Sequence, residues 1–208
     1  MNSPKYRYGL YLRPPAVISR IQSEIHELMK RQYGLVSAGA FPPHMTILGH
    51  VATRDDHQEV IDAATAAMDG VHAVRIFNRG LGATPGHGIG HIVGSLPNGD
   101  PNPALVDLFR RASQHLDPLR VPVEGEYKPG VRKEADFYGH MTLAAHDLTL
   151  RPELFDEVFA FLSELDIGAR GEYICDTAAL YVYETNSGWD GKWWETMTWT
   201  LLKSFHLE

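Results

Sequence analysis

The stretch His44-Met45-Thr46-Ile47-Leu48-Gly49-His50 returns in similar form 96 positions later, as His140-Met141-Thr142-Leu143-Ala144-Ala145-His146. A separation of 96 residues is close to half of the 208-residue chain. The simplest interpretation is two similar lobes that each contribute one His-x-Thr unit to a shared site. This repeat is the most informative feature of the chain.

Both copies of the repeat predict β-strands, because hydrophobic residues continue an extended run after each His-Met-Thr core. Side chains two positions apart in a strand lie on the same face. We therefore expect His44 to share a face with Thr46, and His140 to share a face with Thr142. The methionine between each pair then faces the core.

Composition places the chain among soluble globular proteins, with 44% hydrophobic and 22% charged residues. Its length suits a single domain, residues 1–208, built from two closely packed lobes. The formal net charge of −7 disfavours long duplex nucleic acid as a partner, although a small nucleotide or the end of an RNA strand needs only a few local donors. The single cysteine, Cys175, predicts a buried side chain and a reducing compartment. Without a signal segment or a long apolar run, we expect a cytoplasmic protein with no membrane contact, and a monomer.

Hydrophobic patterning along the chain predicts irregularly mixed helices and strands, which favours an α+β fold with mainly antiparallel sheets. The high glycine content of residues 80–90 predicts a surface loop there. The predicted helices are 16–33, 56–68, one that starts near 103, and 154–165, and the predicted strands are 6–12, 71–77, 89–96, 173–184 and 193–205.

Two His-x-Thr units that face each other suit phosphodiester cleavage. The ordinary histidine pKa of about 6.5 lets one imidazole act as a base while another acts as an acid near neutral pH. Threonine hydroxyls can hold the non-bridging phosphate oxygens as negative charge develops. Together these groups supply the base, the acid and the hydrogen-bond donors that the reaction needs, without a metal ion or another cofactor.

On these two motifs, about a hundred positions apart in a chain of about two hundred residues, the sequence resembles the 2H phosphoesterase superfamily. That superfamily includes the 2′,5′ RNA ligase-like proteins and the cyclic nucleotide phosphodiesterases. The resemblance implies a bilobal, pseudo-two-fold fold with a central cleft and no metal requirement. It implies that His44 and His140 are the acid–base pair and that Thr46 and Thr142 bind phosphate. The substrates it suggests are 2′,3′-cyclic phosphates, ADP-ribose cyclic phosphate or 2′,5′-linked oligonucleotides.

The trailing histidines, His50 and His146, also repeat, so a zinc site with the leading histidines needs to be considered. Six residues of extended strand span about 20 Å, which is too far for two ligands of one zinc ion. A sharp bend at Gly49 would weaken this objection. We expect both trailing histidines at strand ends in a structural role, and His87 and His91 as solvated loop residues.

Three further residues are candidate substrate contacts: Tyr138, Lys128 and Arg132. The sequence therefore predicts a cyclic phosphodiesterase that hydrolyses a 2′,3′-cyclic phosphate or a 2′,5′-linked nucleotide. Two alternatives stay open at this point. One is RNA end-joining, the reverse reaction at the same site, and the other is a nucleotide-binding module without catalysis.

Overall fold

The computed structural model describes residues 4–54, 56–123, 137–165 and 171–208. The fold is α+β, and every sheet in the described part is antiparallel, as the sequence predicts. The strands are β1 (Tyr6–Leu12), β2 (Met45–Val51), β3 (Val74–Asn78), β4 (Leu81–Thr84), β5 (Gly88–Ile92), β6 (His140–Ala144), β7 (Gly171–Cys175), β8 (Thr177–Glu184) and β9 (Thr198–His206). The helices are α1 (Ala16–Tyr33), α2 (His57–Met68), α3 (Pro103–Leu116), α4 (His146–Thr149) and α5 (Phe155–Glu164).

Two sheets carry the repeated motifs. The first has the strand order β2-β1-β8-β9, and the second has the order β4-β5-β6. The first motif lies on β2 and the second on β6, so each motif occupies an edge strand of its sheet. A separate two-stranded sheet pairs β3 with β7. Because β2 and β6 contact each other, the two motifs meet where the two sheets adjoin.

Local sequence signals account for three of the helix ends. The Asp56 side chain accepts hydrogen bonds from two backbone amides in the first turn of α2, and the Asn102 side chain accepts one from the backbone amide of Ala104 in α3. Helix α1 ends at Gly34, whose φ of 67° is the left-handed conformation that glycine adopts without strain. None of the helices in the described ranges combines the length and the apolarity needed to cross a bilayer.

The two larger hydrophobic clusters of the described residues pack helices against the sheets. One packs α2 and α3 against the side of the first sheet that carries Leu10 and Leu180, and Cys175 is buried within it. The other packs the apolar face of α1 and helix α5 against β5 and β6 through Ile25 and Leu143. The predicted burial of the lone cysteine is confirmed.

The glycine-rich stretch is a β-hairpin, so the prediction of a surface loop at residues 80–90 was wrong. Strands β4 and β5 pair directly, with Gly82 opposite Gly90. A Cβ atom on Gly90 would lie 2.6 Å from the carbonyl oxygen of Met141 on β6. The glycines therefore allow β5 to approach the second motif closely, a role that glycine also plays in strands.

The single predicted strand at residues 173–184 is two strands that belong to different sheets. Strand β7 pairs with β3, whereas β8 inserts between β1 and β9, and only Asp176 separates them. Similarly, β9 begins at Thr198 because residues 193–195 form a turn of 3-10 helix. The sequence pattern marks extended residues in both cases, but long-range pairing decides where each strand begins.

Candidate active site

The two leading histidines lie at the start of the adjoining edge strands. His44 directly precedes β2 and is only 7% exposed, and His140 is the first residue of β6 and partly exposed. Thr46 and Thr142 are also partly exposed. The methionines between them are buried in one shared core, as predicted. The structure thus brings the two His-x-Thr units together with their polar faces away from the core.

Each imidazole makes the same local hydrogen bond. Nδ1 of His44 lies 2.7 Å from the carbonyl oxygen of Pro42, and Nδ1 of His140 lies 2.7 Å from the carbonyl oxygen of Tyr138. A carbonyl only accepts, so Nδ1 carries the proton in both rings. In the neutral imidazole, Nε2 is then the unprotonated nitrogen. The two copies of the motif therefore also have the same imidazole tautomer.

Burial lowers the pKa of both histidines. The pKa of His44 falls to about 4, because desolvation outweighs the hydrogen bond to Pro42 and because His140 and His26 are close enough to disfavour a further positive charge. Desolvation also lowers the pKa of His140, opposed by its bond to Tyr138. The two rings are neutral near pH 7 in the absence of a ligand.

Both threonine side chains are partly exposed to solvent. Within the part of the chain that the structure describes, neither Thr46 Oγ1 nor Thr142 Oγ1 makes a hydrogen bond to protein. On the same surface, two imidazole Nε2 atoms are not engaged by the bonds that fix the rings. Two hydroxyl donors and two imidazoles on one surface suit an anionic group with several oxygens.

Helix α1 supplies two polar side chains that sequence reasoning missed. Nε2 of His26 lies 2.9 Å from the carbonyl oxygen of Thr142, and the amide of Gln22 donates to the same oxygen at 3.1 Å. Burial lowers the pKa of His26, so its ring is neutral and Nε2–H is the donor. The sequence contains a pattern that indicates them, because Gln22 and His26 are polar residues four positions apart, next to Ile25 on the buried face of α1.

A group of buried tyrosines packs next to His44. The ring of Tyr11 lies 4.3 Å from the His44 ring, and it also contacts Tyr181 and Tyr183 on β8. Tyr11 folds back over Gly9, where a Cβ atom would lie 2.0 Å from the phenolic oxygen. The absence of a side chain at Gly9 therefore creates the space that the Tyr11 ring fills.

The trailing histidines meet each other across the two sheets. The rings of His50 and His146 lie 6.3 Å apart, and both contact Trp193. His146 is the first residue of α4, so the prediction that it lies at a strand end was wrong. The chain turns at His50, where φ is 52°. Phe41 contacts both His44 and His50, and it lies between the leading and the trailing rings.

A buried carboxylate holds the start of α4 against the loop after α1. Asp147 accepts hydrogen bonds from the backbone amides of Val36 and Ser37 and from the Ser37 hydroxyl at 2.6 Å. These bonds connect the segment before the first motif to the segment after the second. They fix the position of β6 relative to the loop that leads into β2.

The other predicted residues fall in different places. Tyr138 is 42% exposed, its hydroxyl donates to the carbonyl of Ala83, and its ring lies 5.6 Å from that of His140. Lys128 and Arg132 lie outside the described residues. His87 is exposed, but His91 is buried on β5, so the prediction that it is a solvated loop residue was wrong. In the described ranges, no three histidine, cysteine or acidic side chains are grouped so as to hold a metal ion.

Comparison with known proteins gives a match in structure but not in sequence. No protein-family model matches the chain, and no curated protein is significantly similar to it. Among solved structures, TT0787 of Thermus thermophilus is 16% identical, with a TM-score of 0.58 over 97% of each chain. LigT of E. coli in complex with ATP is 13% identical, with a TM-score of 0.54 over 99% of each chain. A phosphoesterase is 14% identical, with a TM-score of 0.53 over 98% of each chain.

These similarities extend from one end of each chain to the other, so they concern the whole fold and not a shared fragment. At such low identity, it is the path of the backbone that is shared. The protein has the same α+β fold as LigT and the phosphoesterase, in agreement with the fold that the resemblance at its two His-x-Thr motifs implies.

Proposed function

We propose that the protein is a metal-independent phosphodiesterase that hydrolyses a 2′,3′-cyclic phosphate or a 2′,5′-linked nucleotide, with His44 and His140 as the acid–base pair. The observation that carries this proposal is the matching pair of hydrogen bonds from Nδ1 to the carbonyl two residues earlier. Both bonds fix the ring and leave Nε2 for proton transfer. The proposal takes the chain as one domain whose two halves each contribute one motif.

In this mechanism, Nε2 of His44 removes a proton from water as the water oxygen bonds to phosphorus. The bond from phosphorus to the leaving ribose oxygen breaks, and the His140 imidazolium donates its Nε2 proton to that oxygen. His44 is assigned as the base because its pKa, about 4, keeps it unprotonated over a wide pH range. Exchange of one proton with solvent restores both rings, and the product is a phosphomonoester.

The threonines stabilise the charge that develops on phosphate. In the proposed pose, the hydroxyls of Thr46 and Thr142 donate hydrogen bonds to the two non-bridging oxygens. His26 and Gln22 position Thr142 through its carbonyl oxygen. Tyr138, which is exposed next to His140, contacts the sugar or base of the substrate in this proposal.

Nucleotide substrates are supported by the similar structures. LigT of E. coli has been solved in complex with 3′-AMP, with ATP and with phosphate. The surface where β2 and β6 adjoin presents two imidazoles and two threonine side chains to the same kind of group. A small nucleotide or an RNA end is therefore the substrate class that we assign.

The proposal is tested by assaying purified protein against 2′,3′-cyclic nucleotides and 2′,5′-linked dinucleotides. We expect turnover that is unaffected by a chelator, and a loss of about 100-fold or more in kcat for His44→Ala and for His140→Ala. Full activity in either variant would overturn the assignment. Nucleotide binding without turnover would instead identify a binding module, and joining of RNA ends in preference to hydrolysis would identify a ligase.

The threonines allow a matched comparison. Thr46→Val removes the hydroxyl at nearly constant volume and should lower kcat about 100-fold, the typical effect of losing one donor to a developing oxyanion. Thr46→Ser keeps the hydroxyl and should retain most of the activity. Equal losses in the two variants would show that the methyl group and not the hydroxyl is important at this position.

A further inference from the structure

The sheet face that carries Thr46 continues to the opposite edge of the first sheet. Thr46 pairs with Tyr11 on β1, and Tyr11 pairs with Ala179 on β8, the residue two positions before Tyr181. On β9, Trp199 pairs with Tyr183, which shares the face of Tyr181. Trp199 therefore lies on the same side of the sheet as the threonine of the first motif.

Trp199 differs from the other rings of this face in its exposure. Its side chain is 45% exposed, whereas Tyr11, Tyr181 and Tyr183 are each 5% exposed or less. The Tyr181 ring packs against it in a T-shaped contact, with 5.4 Å between the ring centroids and 88° between the ring planes. A large indole that is fixed on one side and open on the other is suited to stack with a flat ligand.

A series of ring contacts connects this indole to the candidate active site. Tyr11 contacts His44 at 4.3 Å and Tyr181 at 6.0 Å, and Tyr181 contacts Trp199. Strands in a sheet are about 4.8 Å apart, so β9 lies roughly 14 Å from β2. In the reacting nucleotide, only the ribose separates the base from the phosphate, so that base cannot span this distance. The base of the adjoining nucleotide lies one phosphodiester further along the strand and can reach Trp199.

Arg13 provides a positive charge on the same face of the sheet, at the end of β1 that pairs with the start of β2. Its backbone amide donates to the carbonyl of Thr177 at 2.9 Å, which continues the pairing of β1 with β8 and places its side chain on the Tyr11 face. Burial raises the pKa of Tyr181, and the charge of Arg13 opposes that shift, so the guanidinium lies within electrostatic range of the Tyr181 hydroxyl. The Arg13 guanidinium is exposed and has no ion pair or hydrogen bond within the described ranges.

We propose that Trp199 and Arg13 form a distal subsite for the second nucleotide of an oligonucleotide end. The indole stacks on the base of that nucleotide, and the guanidinium pairs with the phosphate that joins it to the reacting nucleotide. The inference rests on the proposed function, because it places the reacting phosphate at the histidines. It narrows the substrate class from any small cyclic nucleotide to the end of an RNA strand.

The test compares kcat/KM for a mononucleotide 2′,3′-cyclic phosphate with kcat/KM for a dinucleotide that ends in the same group. We expect wild type to prefer the dinucleotide. Trp199→Ala should reduce that preference by about 5- to 150-fold, the effect of losing one stacked base, and Trp199→Phe should retain most of it. Arg13→Gln should reduce the preference and flatten its salt dependence, whereas Arg13→Lys should not. The control is Ile174→Ala, which removes an exposed hydrophobic side chain from a different strand, β7, and should leave the preference unchanged.

Two outcomes would overturn the subsite. One is an unchanged preference in Trp199→Ala, and the other is an equal loss on both substrates, which would indicate a general structural effect. Calorimetric titration with a dinucleotide 3′-phosphate separates this inference from the proposed function. Binding that depends on Trp199 in a protein without turnover would reject the catalytic proposal and support the subsite. Turnover of both substrates without dependence on Trp199 would support the catalytic proposal and reject the subsite.

Discussion

The buried His44 imidazole makes the stability of the protein depend on pH. Its pKa falls from an ordinary value of 6.5 to about 4 in the folded protein, mainly because burial disfavours the charged ring. In the unfolded chain the ring has its ordinary pKa. Between these two values the unfolded state therefore binds more protons, and the free energy of unfolding decreases as the pH falls. At 1.36 kcal/mol per pKa unit, this one ring accounts for a loss of about 3 kcal/mol.

We expect His44→Asn to remove this component of the pH dependence. The asparagine side-chain amide has a nitrogen donor close to the position of Nδ1, so the hydrogen bond to the Pro42 carbonyl can be retained without a titrating group. Urea unfolding, followed by circular dichroism between pH 7.5 and 4, gives the free energy of unfolding at each pH. Wild type should lose about 3 kcal/mol more than the variant over this range, out of a total of 5 to 15 kcal/mol for a typical domain.

A second variant serves as the control. His87 is an exposed histidine with φ of 59°, a conformation that asparagine also tolerates, so His87→Asn should follow the wild-type curve. If wild type and His44→Asn lost the same free energy between pH 7.5 and 4, burial would not lower the pKa of His44. The reasoning about the neutral state of the pair would then fail.

Two further predictions concern catalysis and packing. Because burial lowers the pKa of both His44 and His140, kcat/KM for hydrolysis should be maximal below pH 6.5; initial rates across pH 4 to 8 test this, and a maximum at pH 8 would contradict it. In Gly139→Ala, the added methyl group would lie 2.5 Å from the Cα of Gly94, so the strand that begins with His140 must move. We expect a loss of about 1 to 3 kcal/mol in unfolding free energy and of about 100-fold in kcat, measured by urea unfolding and rate assays; wild-type values in both would refute the packing argument.

The elements that the sequence predicted correctly are those with a local cause. Helix α1 follows from apolar residues at three- and four-residue steps, and its end follows from Gly34. The faces of the motif strands follow from alternation, which is why the methionines are in the core. Such features depend on neighbours within a few positions. A single sequence is sufficient to predict them.

The features that the sequence did not predict depend on partners far along the chain. The 80–90 hairpin looks like a loop because its glycines serve the close approach of β5 to β6, about 50 positions later. Residues 173–184 look like one strand because pairing with β3 and with β1 is not visible in the pattern. His26 has the sequence context of an ordinary helix residue, and its partner, the carbonyl of Thr142, is 116 positions away. In each case, the deciding contact is tertiary.

The repeat itself contains two pairs of histidines with different environments. The leading rings are directed by bonds to carbonyls two residues earlier, and their Nε2 atoms are not used in those bonds. The trailing rings pack against Trp193, which the left-handed turn at His50 makes possible at a cost of about 1 to 3 kcal/mol in backbone strain. Aromatic contacts of this kind contribute about 0.5 to 1.5 kcal/mol each, so several of them offset that strain. The equal spacing in the two motifs therefore reflects a packed aromatic contact between the two sheets, next to the pair that we assign to catalysis.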